Sequence, residues 1–160
     1  MMAAIRPAAF PDDLETVRAL FTEYIASLGL DLSFQNVEAE LDALPGAYAP
    51  PRGALLLAKQ DGQAFGIGAM RPLPDGRAEM KRMYVRPAAR GLGGGRLLAA
   101  GLIAAARAGG YRCMRLDTQR DFTAAVALYR SLGFIETARY NDNPLPGALF
   151  MALDLTADAL

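Results

Sequence analysis

The sequence predicts one α/β domain on a mixed sheet, its elements in the order βααβββαβαββ across residues 1–160. Three observations predict it. Apolar residues recur at helical spacing in several stretches, including Leu14 to Leu28 and Gly94 to Arg107. Strand-length aliphatic runs alternate with them, two of these runs joined by the tight-turn pair Asp61-Gly62. No repeat, low-complexity tract or linker breaks the series, and 52% hydrophobic against 21% charged residues is the profile of a folded globule.

The elements follow in order. "AAIRPAAFPDDLETVRALFTEYIASLG" reads as a short strand, a turn and then a helix with Asp12 or Asp13 as cap, Leu14, Val17, Leu20, Phe21, Tyr24, Ile25 and Leu28 on one stripe, and Gly29 as the stop. "FQNVEAELDAL" is a second helix, capped by Ser33, with Phe34, Val37, Leu41 and Leu44 along one face. The prolines and glycines of "PGAYAPPRG" make a loop. "ALLLAKQ", "QAFGIGAMRPL" and "RAEMKRMYV" are three strands, the last two separated by the turn Pro74-Asp75-Gly76. A glycine cluster leads into a helix from about Gly94 to Arg107. "GGYRCMRLDT" gives a turn and a strand, "FTAAVALYRSLG" a helix closed by Gly133, and "FIETARY" and "ALFMALDL" are the final strands. Cys113, inside an alternating pattern, is expected as a small core residue and not as an acyl carrier.

Composition removes whole classes of chemistry. With no histidine and one cysteine, the usual ligand sets for zinc and most transition metals are missing, as are serine–histidine and cysteine–histidine catalysis and any internal disulfide. No metal is expected, and acid–base work falls to carboxylates, tyrosine, lysine or water. Lysine plus arginine balances aspartate plus glutamate, 17 against 17, so no general attraction to nucleic acid or acidic membranes is expected. "MMAAIRPAAFPDD" is not a signal peptide, and the longest apolar run, Leu97 to Ala106, is about half of the roughly 20 residues a membrane span needs. The expectation is a soluble, cytoplasmic protein.

Within "VRPAARGLGGGRLL", four of the five residues from Gly91 to Gly95 are glycine. A linker does not fit, because strand and helix patterns abut the cluster directly. The nucleoside-triphosphate loop G-x-x-x-x-G-K-[ST] fails, because Arg96-Leu97 follows Gly95 and the metal-binding hydroxyl is missing. The dinucleotide fingerprint fails too: its third glycine falls on Arg96 or Leu98, and the cluster follows the fourth strand instead of the first. What remains is R-x-x-G-x-G from Arg90 to Gly95 between a strand and a helix. It suits a pyrophosphate: glycines let backbone amides approach an anion, the helix N-terminus aims its positive end there, and Arg90 and Arg96 add charge.

The stretch from Glu79 to Phe134, with "MYVRPAARGLGGG" and then "AVALYRSLGF", resembles the core of the GNAT superfamily of acyl-coenzyme A N-acyltransferases. The family shares a strand ending in "YV.P", an [RQ]-x-x-G-x-[GA] pyrophosphate loop and a later "A..LY...GF" helix, and the coarse order of elements along the whole chain matches as well. The resemblance implies a GNAT-type fold with acetyl-CoA as co-substrate. It assigns the cofactor to Met83, Tyr84, Val85, Arg90, Gly91, Leu92, Gly93, Gly94, Gly95 and Arg96. The strand would bend away at a bulge, freeing backbone groups of Met83, Tyr84 and Val85 for the pantetheine arm, with one amide on the thioester oxygen. The alternative there is an ordinary central strand with every group paired.

The same resemblance places the general acid for the departing thiolate at Tyr129, against a packing aromatic beside Leu128. It places the base at Glu79, often acting through water in such proteins, against a surface carboxylate paired with Lys81 or Arg82. One position departs from the pattern: many members carry an asparagine where this chain has Phe122, for which Thr118, Gln119 or Thr123 are substitutes. The acceptor site would be built from the first helices and the last hairpin, pointing to Phe34, Tyr140 and Asn143, although the Asn-Asp-Asn-Pro turn is equally a structural one. Lys81 and Arg82 are either a carboxylate anchor or a solvated strand face.

The implied activity is acetyl transfer from acetyl-CoA to a primary amine of a small molecule or peptide, by direct attack in a ternary complex. The rival readings are a non-catalytic acyl-CoA-binding module and an acyltransferase for a larger acyl group. A homodimer through terminal strands is also within what the resemblance implies.

Overall fold

The computed structural model describes residues 3–30 and 36–156. Its elements are β1 (Ala4–Pro7), α1 (Leu14–Leu28), α2 (Val37–Asp42), β2 (Ala54–Gln60), β3 (Gln63–Leu73), β4 (Arg77–Val85), α3 (Gly94–Ala108), β5 (Cys113–Gln119), α4 (Thr123–Ser131), β6 (Ile135–Glu136) and β7 (Ala148–Asp154). The order is the expected βααβββαβαββ, and β2, β3 and β4 occupy the expected spans.

The strands form one seven-stranded sheet in the order β1-β2-β3-β4-β5-β7-β6. Every neighbouring pair is antiparallel except β4 and β5, the parallel pair at its centre. A parallel pair needs a crossover, and α3 supplies it. Both faces are covered. Leu98, Ala99, Leu102 and Ala106 of α3 pack with Met80, Met114, Leu116 and Met151 on one face. On the other, Val17, Leu20 and Phe21 of α1 pack with Leu55, Leu57, Ile67, Ala69 and Tyr84. No helix among the described residues is long and apolar enough to cross a membrane.

Several local expectations need correction. Asp13 stands at the N-cap of α1, yet it makes no capping bond to the helix. Its carboxylate is taken by Arg6, at 2.8 and 3.0 Å, and by the Ala9 amide at 2.7 Å. The second helix stops at Asp42, so Leu44 is not part of it. Pro45 follows Leu44 and disfavours a helical conformation there. Ser33 and Phe34, the expected cap and acceptor contact, lie outside the described residues. Cys113 is half-buried, not core, because the inward positions of β5 belong to Met114 and Leu116.

The strand expected over "FIETARY" shrinks to Ile135–Glu136. Beyond it, Tyr140 packs edge-on against Phe150 with ring centroids 5.6 Å apart, and Arg139 lies 4.9 Å over the same ring. Those contacts turn the chain inward across the sheet instead of along β7.

Candidate active site

The site begins where the central ladder fails. β4 and β5 pair only over Arg77–Glu79 and Cys113–Arg115. Beyond Glu79, β4 stays with β3 while β5 runs on with β7 to Gln119, so the two strands part like a wedge. On the other side of β4 the register with β3 slips between Ile67 and Ala69: Tyr84 faces Ile67 but Lys81 faces Ala69, leaving Arg82 and Met83 opposite Gly68. This is a β-bulge. Arg82 takes a positive φ of 59°. The approach at Gly68 is close: a Cβ there would stand 2.7 Å from the Met83 sulfur, and that side chain would have to shift. The alternative of a central strand paired along its full length is excluded.

On the α3 face the wedge opens into a cavity of about 500 Å³. Met83, Tyr84, Val85, Arg90, Gly91, Gly93, Gly94, Gly95 and Arg96 line it from β4 and the glycine loop, and Ala125, Leu128 and Tyr129 line it from α4. Gly91 and Gly93 hold φ of 92° and 79°, the left-handed region that glycine enters without strain. A Cβ on Gly94 would stand 2.5 Å from the Phe65 ring. The first hydrogen bond of α3 is Leu97 N–H to Gly93 O at 3.1 Å, so the amides of Gly94, Gly95 and Arg96 have no intrahelical partner. Free amides, the positive end of a fifteen-residue helix and two arginines make an anion cradle. Arg90 donates to Val85 O at 3.3 Å and Arg96 to Ser131 Oγ at 2.7 Å, which ties the loop to β4 and α4. Leu92 is 48% exposed and its side chain does not line the cavity.

A smaller cavity of about 110 Å³ opens where the wedge meets α1 and the β6–β7 segment. Met83, Ala125 and Tyr129 line both cavities. The Tyr129 ring packs edge-on against Phe134 at 5.8 Å, and its hydroxyl makes no hydrogen bond among the described residues. Burial holds the Tyr129 phenol above its ordinary value, so it stays protonated at neutral pH. Phe122 lines the smaller cavity together with Thr118 and Gln119.

The electrostatics of this side differ from the sequence expectation. Glu79 is 1% exposed and binds neither Lys81 nor Arg82. Arg71 Nε donates to its Oε1 at 2.7 Å and the Tyr140 hydroxyl to its Oε2 at 2.6 Å. The cause is register: Arg71 stands directly across from Glu79 in the β3–β4 ladder. Burial, then the Glu79 charge, raises the Tyr140 phenol well above its ordinary value. Arg82 is not a solvated residue either, because the bulge turns it onto Glu40 of α2 at 2.8 and 3.0 Å, with 3% of its side chain exposed. Asn143 is buried with its side-chain polar groups engaged: it donates to Asp117 of β5 at 2.9 Å and accepts from the Leu145 amide at 2.9 Å.

Sequence reasoning missed Asp117, which lines the smaller cavity beside Tyr24, Lys81 and Tyr129. Its Oδ2 accepts from Asn141 at 3.1 Å and from Asn143, while no hydrogen bond occupies Oδ1. The signal was present in "CMRLDT", where Met114 and Leu116 take the core face and the alternation sends Asp117 to the opposite one. No group of three or more potential metal ligands occurs among the described residues.

Comparisons with known proteins show the family and the fold. A family model described as the acetyltransferase (GNAT) family matches residues 15–134. An uncharacterized N-acetyltransferase of Schizosaccharomyces pombe is 41% identical over 155 residues, covering 96% of this chain and 95% of that one. A crystal structure described as an acyl-CoA N-acyltransferase from Klebsiella pneumoniae superposes with a TM-score of 0.71 at 31% identity, covering 96% and 98% of the two chains. An acetyltransferase structure from Salmonella typhimurium, solved with acetyl-CoA, has a TM-score of 0.70 at 24% identity over 100% and 98%, and is similar in fold.

Proposed function

The chain belongs to the acetyltransferase (GNAT) family and is an acetyl-CoA-dependent acyltransferase, and from that premise we propose that it moves an acetyl group to the primary amine of a small acceptor by direct attack in a ternary complex. One observation carries the reading: the anion-cradling cavity and the smaller polar cavity meet at Met83, Ala125 and Tyr129. A thioester reaching from the first and an amine reaching from the second come together there.

Acetyl-CoA supplies the activated acyl group. The chain's own residues do the rest. Backbone amides of Gly93–Arg96 hold the pyrophosphate, and backbone groups of Met83–Val85 on the side that β5 has left take the pantetheine arm as a strand would. A bulge amide stabilises the negative charge that develops on the carbonyl oxygen. The Tyr129 hydroxyl hydrogen-bonds the departing sulfur and gives it a proton.

For the amine proton, Glu79 is the first assignment, reached through the Tyr140 hydroxyl that it already holds. A second reading rests on Asp117, whose carboxylate lines the cavity that Glu79 does not. Glu79→Gln and Asp117→Asn separate the two. The variant lacking the base loses turnover near neutral pH and recovers at high pH, where the amine is already deprotonated.

Release of coenzyme A across a library of amines tests the proposal as a whole. Acetyl-CoA binding without release for any amine would support the non-catalytic module, and faster release from longer acyl-CoAs would support a larger acyl donor.

A further inference from the structure

Continued two residues past its last pair, Glu79 with Arg115, the parallel register of β4 and β5 would set Lys81 beside Asp117. In a closed sheet these side chains would form an ordinary cross-strand ion pair. The wedge has separated them. Both line the smaller cavity, and no salt bridge joins them. Among the described residues Lys81 has no ion pair or hydrogen bond, and Asp117 Oδ1 has none. The other charged residue of this cavity wall, Arg82, is matched by Glu40. Among the described residues the cavity therefore presents one free cation, Lys81, and one free carboxylate oxygen, Asp117 Oδ1, on opposite sides of a gap.

We propose that the acceptor is a free α-amino acid, its carboxylate on the Lys81 ammonium and its ammonium on Asp117 Oδ1. The inference rests on the acetyl-transfer reading above and narrows its acceptor. Lys81 is mostly buried, which is costly for a lysine without a partner, and a carboxylate is the counter-charge that removes the cost. Burial lowers the Lys81 ammonium from its ordinary value, Glu79 and Asp117 push it back up, and Arg82 and Arg71 add to the lowering, so the site as it stands lacks one negative charge. A polyamine would bring a second cation onto Lys81. A protein N-terminus would bring an uncharged amide where the carboxylate belongs. The cavity, about 110 Å³, is also of small-molecule size.

The chemistry balances on these groups. The ammonium passes a proton to the base, the nitrogen forms the amide bond to the acetyl carbon, the carbon–sulfur bond breaks, the sulfur takes a proton from Tyr129, and the second proton that the nitrogen gives up restores the Tyr129 phenol. The N-acetyl product keeps its carboxylate but has lost the charge that Asp117 held, which favours its departure.

The test compares the twenty free amino acids with their carboxamides. Coenzyme A release is measured by chromatography, and equilibrium binding to the coenzyme A-loaded protein by calorimetry. A hydrogen-bonded charge pair of this kind predicts a preference for the acid of about 10–100-fold in both measurements. Lys81→Met should bring the ratio near one, and Lys81→Arg should retain part of it. Equal or better binding of the carboxamides overturns the proposal. So does a Lys81→Met variant that lowers turnover of acid and amide alike, since Lys81 would then serve the chemistry or the fold. Acid-selective binding lost in Lys81→Met, with no coenzyme A release from any amine, would leave the anchor standing and overturn acetyl transfer alone.

Discussion

Arg82 and Glu40 are joined by two hydrogen bonds, 2.8 and 3.0 Å long, that tie the bulge of β4 to α2. The arginine sits at φ 59°, uncommon for a residue with a side chain, and the slipped register with β3 aims it at α2. The pair thus connects the strand that carries the proposed oxyanion amide with a helix beside the acceptor side.

Glu40→Gln should destabilise the protein by about 3 kcal/mol, because it leaves the guanidinium charge buried without its carboxylate. Denaturant unfolding measures this. Glu40→Leu combined with Arg82→Met should cost less than either single change. A double variant as unstable as the sum of the two would show that the residues act independently.

Acid should weaken the fold through the same kind of contact. Arg6, then the Ala9 amide, holds the Asp13 carboxyl down at about 2. At Glu40 burial pushes upward, but the Arg82 hydrogen bond and charge outweigh it and the carboxyl lies below its ordinary value. A carboxyl lowered by folding contributes stability above its unfolded value, near 4, and loses it as pH falls through the folded one. The melting temperature should therefore drop between about pH 4 and pH 2, and Asp13→Asn should flatten that drop.

Acetyl-CoA should raise the melting temperature, and Gly93→Asp should abolish the rise by setting a negative charge at the cradle. No atom lies within 4 Å of the added Cβ, although φ there is 79°. Gly93→Asn carries similar strain without the charge and should keep part of the effect. Unchanged binding in a folded Gly93→Asp protein would place the pyrophosphate elsewhere.

Tyr129→Phe keeps the ring against Phe134 and removes only the hydroxyl. The turnover number should fall by about 10²–10⁴-fold, with the KM for acetyl-CoA nearly constant. A tyrosine that merely packs would lose little, so full turnover in this variant sinks the acid assignment.

The order of elements, the bounds of β2, β3 and β4, the glycine loop and the family itself were legible in the sequence. Each rests on local signals: alternation within a strand, a turn pair such as Asp61-Gly62, a glycine cluster set directly between a strand pattern and a helix pattern. The charge pairing was not legible. Glu79 had Lys81 and Arg82 as near neighbours in sequence, yet its partners are Arg71, directly across the ladder, and Tyr140, brought in by a chain turned over Phe150. A one-residue slip opposite Gly68 carries Arg82 to Glu40. The parting of β4 from β5 leaves Lys81 and Asp117 facing one cavity without touching. Those outcomes depend on register between strands far apart in the chain, and a shift of one residue changes which side chains meet. The sequence by itself determined the family and the glycine loop between strand and helix; only the tertiary structure decided which charged side chains pair and which face a cavity apart.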